Sequence, residues 1–161
     1  MNFDNVKFIV SEVDGVVSEY LTGYGEMGIP MFKQFCVKDF EAVNMIKRGG
    51  YGFAFLSADA NINMSLCKKK NIPFFFAEKD KKTVYFEKVI SRFNLSPDNV
   101  LYVGSSYSDI ECLRMSGISM CPEDSPSEVI NNVTYVIPVY SGNGVLCYVW
   151  GLLNKYIKNS R

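Results

Sequence analysis

Apolar runs of strand length alternate with amphipathic segments of helix length along nearly all of the 161 residues. This alternation is typical of a doubly wound α/β domain, in which crossover helices join parallel strands. Turn residues such as Gly49-Gly50 and Ser96-Pro97 separate the segments. We therefore predict an α/β fold with a Rossmann-like parallel sheet, in a single domain over residues 1–161.

The predicted elements follow from these patterns. The strands are expected at Lys7 to Val13, Gly52 to Leu56, Pro73 to Phe76, Val100 to Val103, Ile118 to Met120 and Val133 to Val136. The helices are expected at Phe40 to Arg48, Ile62 to Lys70, Lys82 to Asn94, Asp109 to Ser116, Pro126 to Asn131 and Gly144 to Lys158. The run Phe74-Phe75-Phe76 indicates a central strand that is buried on both faces.

Residues 19–37 break the alternation, because they combine three glycines and a proline with alternating apolar side chains. This composition predicts a small β-hairpin inserted after the first strand. Ligands of parallel α/β sheets bind beyond the carboxyl ends of the strands, so the hairpin is expected beside the site. It could serve as a lid or as a surface for a neighbouring subunit.

Composition excludes several classes of function. Seventeen basic and seventeen acidic residues leave no net charge, so we expect neither nucleic acid nor a membrane as a partner. The chain has no histidine, which excludes Ser-His-Asp and Cys-His catalysis. Five cysteines without a C-x-x-C pair indicate free thiols in a reducing compartment. With no secretory signal pattern, a cytoplasmic protein is expected.

Five polar residues are expected to converge where the predicted strands end. Glu12 and Asp14 lie two apart after the first strand, so they would share one face. Ser57 follows the second strand, Lys81 lies at a helix start after the third, and Asp109 follows the fourth. A hydroxyl and an ammonium can hold phosphoryl oxygens, while carboxylates can attack, transfer a proton or bind Mg²⁺. The constellation therefore predicts phosphate chemistry.

These motifs resemble those of the haloacid dehalogenase superfamily, in particular its small capless branch. That branch includes 3-deoxy-D-manno-octulosonate 8-phosphate phosphatase and the C-terminal domain of acylneuraminate cytidylyltransferase. The matching segments follow the family's order and are Glu12-Val13-Asp14-Gly15-Val16, Ser57, Lys81, Gly104-Ser105-Ser106-Tyr107-Ser108-Asp109, Val37-Lys38-Asp39 and Gly142-Asn143-Gly144.

The resemblance implies a role for each matched residue. Glu12 would be the nucleophile and a metal ligand, and Asp14 the acid and base that also supplies a backbone oxygen to the metal. Ser57 and Lys81 would bind phosphate, and Asp109 would help to hold Mg²⁺. Two of the residues that would take part in the reaction differ from the family pattern. Glutamate replaces the attacking aspartate at position 12, and Ser105 stands at a usual aspartate position.

Those departures predict a weakened site. Serine is a neutral, poor ligand for Mg²⁺, so we expect at most weak metal binding. The extra methylene of Glu12 moves the attacking oxygen by about an ångström, which damages in-line attack. Ala58-Asp59 and Asn143 stand where the family has Gly-Arg and arginine, so an acidic sugar phosphate is expected to be a poor substrate.

Three functions remain open on the sequence. The chain could be an active Mg²⁺-dependent phosphatase of a small phosphate monoester, or a degenerate fold that acts as an oligomerising or binding module. Alternatively, Ser57 and Lys81 could hold a phosphorylated ligand that is never cleaved. The two substitutions favour impaired catalysis over turnover. The branch also commonly assembles through the hairpin, so we expect a homotetramer.

Overall fold

The fold is a six-stranded parallel sheet covered by helices on both faces, as a computed structural model describes it for residues 1–159. The strands are β1 Phe8–Ser11, β4 Gly52–Ser57, β5 Phe74–Phe76, β6 Val100–Val103, β7 Ile118–Pro122 and β8 Tyr135–Ile137, with the hairpin strands β2 Gly23–Tyr24 and β3 Pro30–Phe32. The helices are α1 Val37–Arg48, α2 Ile62–Lys69, α3 Lys82–Arg92, α4 Ile110–Met115, α5 Ser127–Ile130 and α6 Val145–Asn159. Short 3₁₀ turns cover Lys79–Lys81, Pro97–Asn99 and Tyr107–Asp109.

The strand order is β5-β4-β1-β6-β7-β8, so β1 lies at the centre. The chain adds strands on one side of β1 up to β5 and then on its other side from β6 onward. β1 is paired with β4 on one side and β6 on the other, with Val10 opposite Ala54 and Tyr102. This arrangement brings the ends of β1, β4 and β6 together at one edge, where ligands of such sheets bind. The predicted α/β fold is confirmed.

Alternate residues of the central strands supply two hydrophobic cores. Ile9, Phe55 and Leu101 point to the face covered by α1, α2 and α6, and Val10 and Tyr102 point to the face covered by α3, α4 and α5. Residues two apart on a strand share a face, so one apolar run serves both cores. The site thus rests on buried strands.

The predicted hairpin is also confirmed as a separate two-stranded antiparallel sheet. Its strands are shorter than residues 19–37, since most of that segment forms loops. Several predicted bounds shift by a few residues, notably α1, which begins three residues earlier than expected. No helix within residues 1–159 is long and apolar enough to cross a bilayer.

Two expectations about strands are wrong. β5 is an edge strand, and each of its three phenylalanines is partly exposed. Phe75 packs against Phe93 and Phe76 against Tyr85, while Phe74 packs on the core that α1, α2 and α6 cover. β1 ends at Ser11, so Glu12 and Asp14 lie in the loop that follows and do not share a strand face.

Candidate functional site

The candidate site is a cavity of about 490 Å³ beyond the ends of β1, β4 and β6. Its floor and walls come from the loops after these strands, and the hairpin closes one side. The lining residues are Glu12, Asp14, Tyr20, Thr22, Tyr24, Pro30, Lys33, Ser57, Ala58, Asp59, Ala60, Asn61, Lys79, Ser106 and Ser108. The structure therefore brings the predicted Glu12, Asp14 and Ser57 to one cavity, with the hairpin beside it.

At the base of this site, Glu12 and Asp109 hold one lysine between them. That lysine is Lys82, whose ammonium forms an ion pair with Glu12 Oε2 and lies 2.6 Å from Asp109 Oδ1. All three side chains are almost completely buried. Burial raises the pKa of Glu12 and outweighs the opposing effect of Lys82. Burial would lower the pKa of Lys82, but the charges of Asp109 and Glu12 reverse the effect and hold the ammonium protonated.

The expectation that Lys81 joins this cluster is wrong by one residue. Lys81 is exposed and pairs instead with Glu78, with 2.5 Å between its Nζ and Glu78 Oε2. The sequence held a usable signal, because Lys82 is spaced four residues before the buried Phe86 and seven before the buried Val89. Side chains at this spacing share one helix face, so Lys82 points inward and Lys81 does not.

Asp109 is fixed by donors from its own loop. Its Oδ2 accepts from Ser105 N at 3.0 Å and from Ser106 N at 2.9 Å, and its Oδ1 accepts from Tyr102 Oη at 2.8 Å. Burial acts to raise the pKa of Asp109, but Lys82 and these donors leave it below its ordinary value. Asp109 is thus an ionised carboxylate that positions Lys82 and the 105–109 loop.

Ser105 lies beside the main chain of Asp14, at the position where the family resemblance implies an aspartate. Its Oγ donates to Asp14 O at 3.1 Å and lies 2.5 Å from Tyr20 Oη. A hydroxyl has one hydrogen, so the Tyr20 phenol is the donor to Ser105. Burial raises the pKa of Tyr20 well above its ordinary value, which keeps that phenol protonated.

A divalent cation does not fit these donors. Ser105 is neutral, and its hydroxyl is hydrogen-bonded to the Tyr20 phenol and to Asp14 O. The charge of the Glu12 carboxylate is neutralised by Lys82. Within residues 1–159, no three acidic or thiol side chains converge as a metal site would need. Mg²⁺ requires charged oxygens in tight octahedral geometry. These contacts do not favour metal binding, and the metal role of Glu12, Asp14 and Asp109 stays a prediction.

The hairpin residue Lys33 is the main feature that the sequence analysis missed. Its Nζ lies 2.9 Å from each carboxylate oxygen of Asp14, and 2.5 Å from Asp59 Oδ2. Burial would lower the pKa of Lys33, but the hydrogen bonds that it donates to these two carboxylates raise it. The only sequence signal is a single cation directly after the apolar residues of β3, which does not reveal its partner.

Asp14 is surrounded by donors. Besides Lys33, its Oδ1 accepts from Ser18 Oγ at 3.0 Å and its Oδ2 accepts from Asn63 Nδ2 at 2.9 Å. Asn63 also donates to Ser57 Oγ at 3.2 Å, which links the ends of β1 and β4. The predicted Asp14 and Ser57 therefore lie in one hydrogen-bonded network, held by residues of α2 and the hairpin.

Comparisons with known proteins identify a family and similar chains. Residues 60–149 match the family model described as haloacid dehalogenase-like hydrolase. The 3-deoxy-D-manno-octulosonate 8-phosphate phosphatase KdsC of Escherichia coli K12 is 24% identical over 151 residues, which are 93% of this chain and 80% of that protein. The phosphatase of the same name from Haemophilus influenzae is 27% identical over 143 residues, 88% of this chain and 78% of that protein.

Solved structures share the fold. The cobalt-bound deoxy-D-mannose-octulosonate 8-phosphate phosphatase of Haemophilus influenzae has a TM-score of 0.90 at 23% identity, covering 98% of this chain and 92% of its own. The 3-deoxy-D-manno-octulosonate 8-phosphate phosphatase of Moraxella catarrhalis, solved in complex with a magnesium ion, a phosphate ion and a KDO molecule, has a TM-score of 0.87 at 20% identity. The match covers 98% of this chain and 90% of that one. Both of those proteins were solved with a divalent metal ion, whereas the donors of this chain do not favour one.

Proposed function

The chain belongs to the haloacid dehalogenase-like hydrolase family, and on that premise we propose that it is a phosphatase-like protein with impaired Mg²⁺-dependent catalysis, whose cavity binds a small phosphorylated ligand. One observation carries the proposal. The Ser105 hydroxyl lies 2.5 Å from Tyr20 Oη and 3.1 Å from Asp14 O, in the place where the family resemblance implies a metal-binding aspartate.

The contacts of Glu12 support the loss of turnover. One of its oxygens pairs with Lys82, and the other accepts from Val13 N at 2.8 Å. A nucleophile must approach phosphorus in line, and a displacement of about one ångström costs a large part of the rate. The longer glutamate, held at both oxygens, is therefore a poor replacement for an attacking aspartate.

The contacts of Asp14 support the same proposal. An acid that donates a proton to a leaving group must first carry one. Here both oxygens of the Asp14 carboxylate already accept hydrogen bonds, which come from Lys33, Ser18 and Asn63. Proton transfer from Asp14 would require that this network open.

The hydrogen-bond donors that line the cavity support ligand binding. Hydroxyl groups of Ser57, Ser106 and Ser108 line it, together with the ammonium group of Lys79. Such donors suit phosphoryl oxygens. The similarity to phosphatases named for a sugar phosphate also favours a phosphorylated small molecule over a peptide or a nucleic acid.

We extend the proposal to self-assembly through the hairpin. Its apolar side chains are much more exposed than those of the rest of the chain, with Met27 at 83%, Leu21 at 73% and Met31 at 67%. Exposed apolar surface of this kind favours a protein interface. A homotetramer built on this element would cover these residues and hold Lys33 and Tyr20 over the cavity.

The test is phosphatase turnover in Mg²⁺ buffer with a phosphate monoester. The wild type should show no turnover that depends on Mg²⁺. A variant that combines Glu12→Asp, Ser105→Asp and Tyr20→Ala restores the aspartates and removes the phenol, so it should gain activity. Turnover by the wild type that Mg²⁺ stimulates and Glu12→Gln abolishes would overturn the proposal and establish an active phosphatase.

A further inference from the structure

The carboxylate of Asp59 lies in the cavity wall with both of its oxygens already bound by donors of this chain. Oδ1 accepts from Asn61 N at 2.7 Å and from Ile62 N at 3.0 Å, while Oδ2 lies 2.5 Å from Lys33 Nζ. The side chain of Asp59 is 16% exposed and lines the cavity. Donors that could hold an anionic ligand are thus occupied by an anion of the protein.

The charge balance around Lys33 makes this corner of the cavity unfavourable for a second anion. The single ammonium of Lys33 serves two carboxylates, Asp14 and Asp59, and its side chain is only 5% exposed. Two negative charges therefore face one positive charge. A ligand carboxylate placed here would be repelled, and it would gain donors only by breaking the bonds that Asp59 already makes.

We infer that Asp59 is a specificity-determining residue that restricts the cavity to phosphomonoesters whose organic part carries no carboxylate. The inference rests on the proposed function, since it assumes that the cavity binds a phosphorylated ligand. Discrimination arises from a built-in repulsive element, which is a common way to reject a close analogue. Partial burial acts to raise the pKa of Asp59, but Lys33 and the Asn61 N–H leave it lowered, so the repelling charge persists at neutral pH.

A simpler role for Asp59 is to hold the turn that leads into α2, since its Oδ1 accepts from Asn61 N and Ile62 N. The two roles separate under Asp59→Asn. Asparagine forms such side-chain-to-backbone turns as aspartate does, but it is neutral. The variant therefore removes the repulsive charge and keeps the local fold. Asp59→Ser, whose hydroxyl forms the same turn more weakly, provides a second neutral variant.

The experiment compares two ligands on the full chain by calorimetry. Glycerol 3-phosphate and 3-phosphoglycerate carry the same phosphate, but the second has a carboxylate where the first has a hydroxymethyl group. The wild type should bind glycerol 3-phosphate more tightly by roughly tenfold, which corresponds to about 1.4 kcal/mol. In Asp59→Asn and Asp59→Ser this ratio should fall to about one. Glu41→Gln removes the same charge from the exposed face of α1 and should leave the ratio unchanged.

The outcomes separate carboxylate rejection by Asp59 from phosphate binding by the cavity. Binding of both ligands by the wild type with equal affinity would overturn the inference and leave the proposed function intact. A preference for glycerol 3-phosphate that persists in both Asp59 variants would also overturn the inference. Failure of the wild type and all variants to bind either phosphate would overturn the proposed binding function and the inference with it.

Discussion

The Lys82 ammonium lies 2.6 Å from the Asp109 carboxylate, with both side chains excluded from solvent at the base of the site. The same ammonium pairs with Glu12, so one buried cation neutralises two buried anions. Removal of one partner from such a cluster leaves an uncompensated charge in a region of low dielectric. This cluster joins the loop after β1, the start of α3 and the loop after β6.

Lys82→Met should strongly destabilise the fold. Two buried carboxylates would lose their cation, and loss of a buried partner costs about 3–5 kcal/mol. Lys81→Met is the matched control, because Lys81 is exposed and its only ion pair among the described residues is with Glu78. Urea unfolding measures both. Equal midpoints for the two variants would contradict the assignment of Lys82 to the site.

Gly15→Ala should cost more stability than Gly50→Ala. Both glycines have positive φ, +76° and +94°, so both substitutions share a backbone penalty of about 1–2 kcal/mol. A Cβ at Gly15 would lie 2.2 Å from Ser105 Oγ and 2.4 Å from the Tyr20 ring, whereas at Gly50 it would meet nothing within 4 Å. Overpacking should therefore make the loss of unfolding free energy about 1–3 kcal/mol larger for Gly15→Ala than for Gly50→Ala. Equal losses in urea unfolding would show that Tyr20 does not pack on this turn.

The hairpin surface should control self-association. Sedimentation of the wild type should report a tetramer, because apolar side chains such as Met27 and Met31 favour burial against another copy. Met27→Ser combined with Met31→Ser should yield smaller species. Met45→Ser, a partly exposed methionine on α1, should leave the tetramer unchanged. A wild type that is monomeric at micromolar concentration would refute the assembly.

Acid should reveal the stabilising contribution of Asp59. Its pKa in the folded state is below the ordinary value of 3.8, so its contribution is complete above that value and is lost as pH falls through the folded pKa. The wild type should therefore be more stable than Asp59→Asn at neutral pH, and the difference should shrink toward acid. Urea unfolding across pH ~2–7 measures this. A difference that stays constant with pH would exclude an ionised, paired Asp59.

The parallel sheet and its crossover helices followed from the sequence because apolar periodicity and turn residues are local signals. The same signals brought Glu12, Asp14, Ser57 and Asp109 to the ends of neighbouring strands. The prediction of Lys81 is wrong by one residue, because a helix start does not distinguish two adjacent lysines, whereas the helical spacing to the buried Phe86 identifies Lys82.

Other parts of the site could not be predicted from local patterns. Lys33 and Tyr20 belong to the hairpin, and the way in which that insert folds back over the cavity depends on long-range contacts. The pairing of Lys33 with both Asp14 and Asp59 is also not visible in the sequence, because it joins three separate segments of the chain. Likewise, the sequence of Phe74–Phe76 does not show whether β5 lies at the edge or at the centre of the sheet.

The central claim is that the donors around Ser105 do not hold Mg²⁺, and calorimetric titration with Mg²⁺ tests it most directly. The wild type should give no binding heat at millimolar Mg²⁺. Tyr20→Ala with Ser105→Asp adds a carboxylate beside Asp14 O and should bind the metal. Tyr20→Ala with Ser108→Asp adds the same charge elsewhere in the cavity and should not. Saturable Mg²⁺ binding by the wild type, lost on Glu12→Gln, would contradict the account.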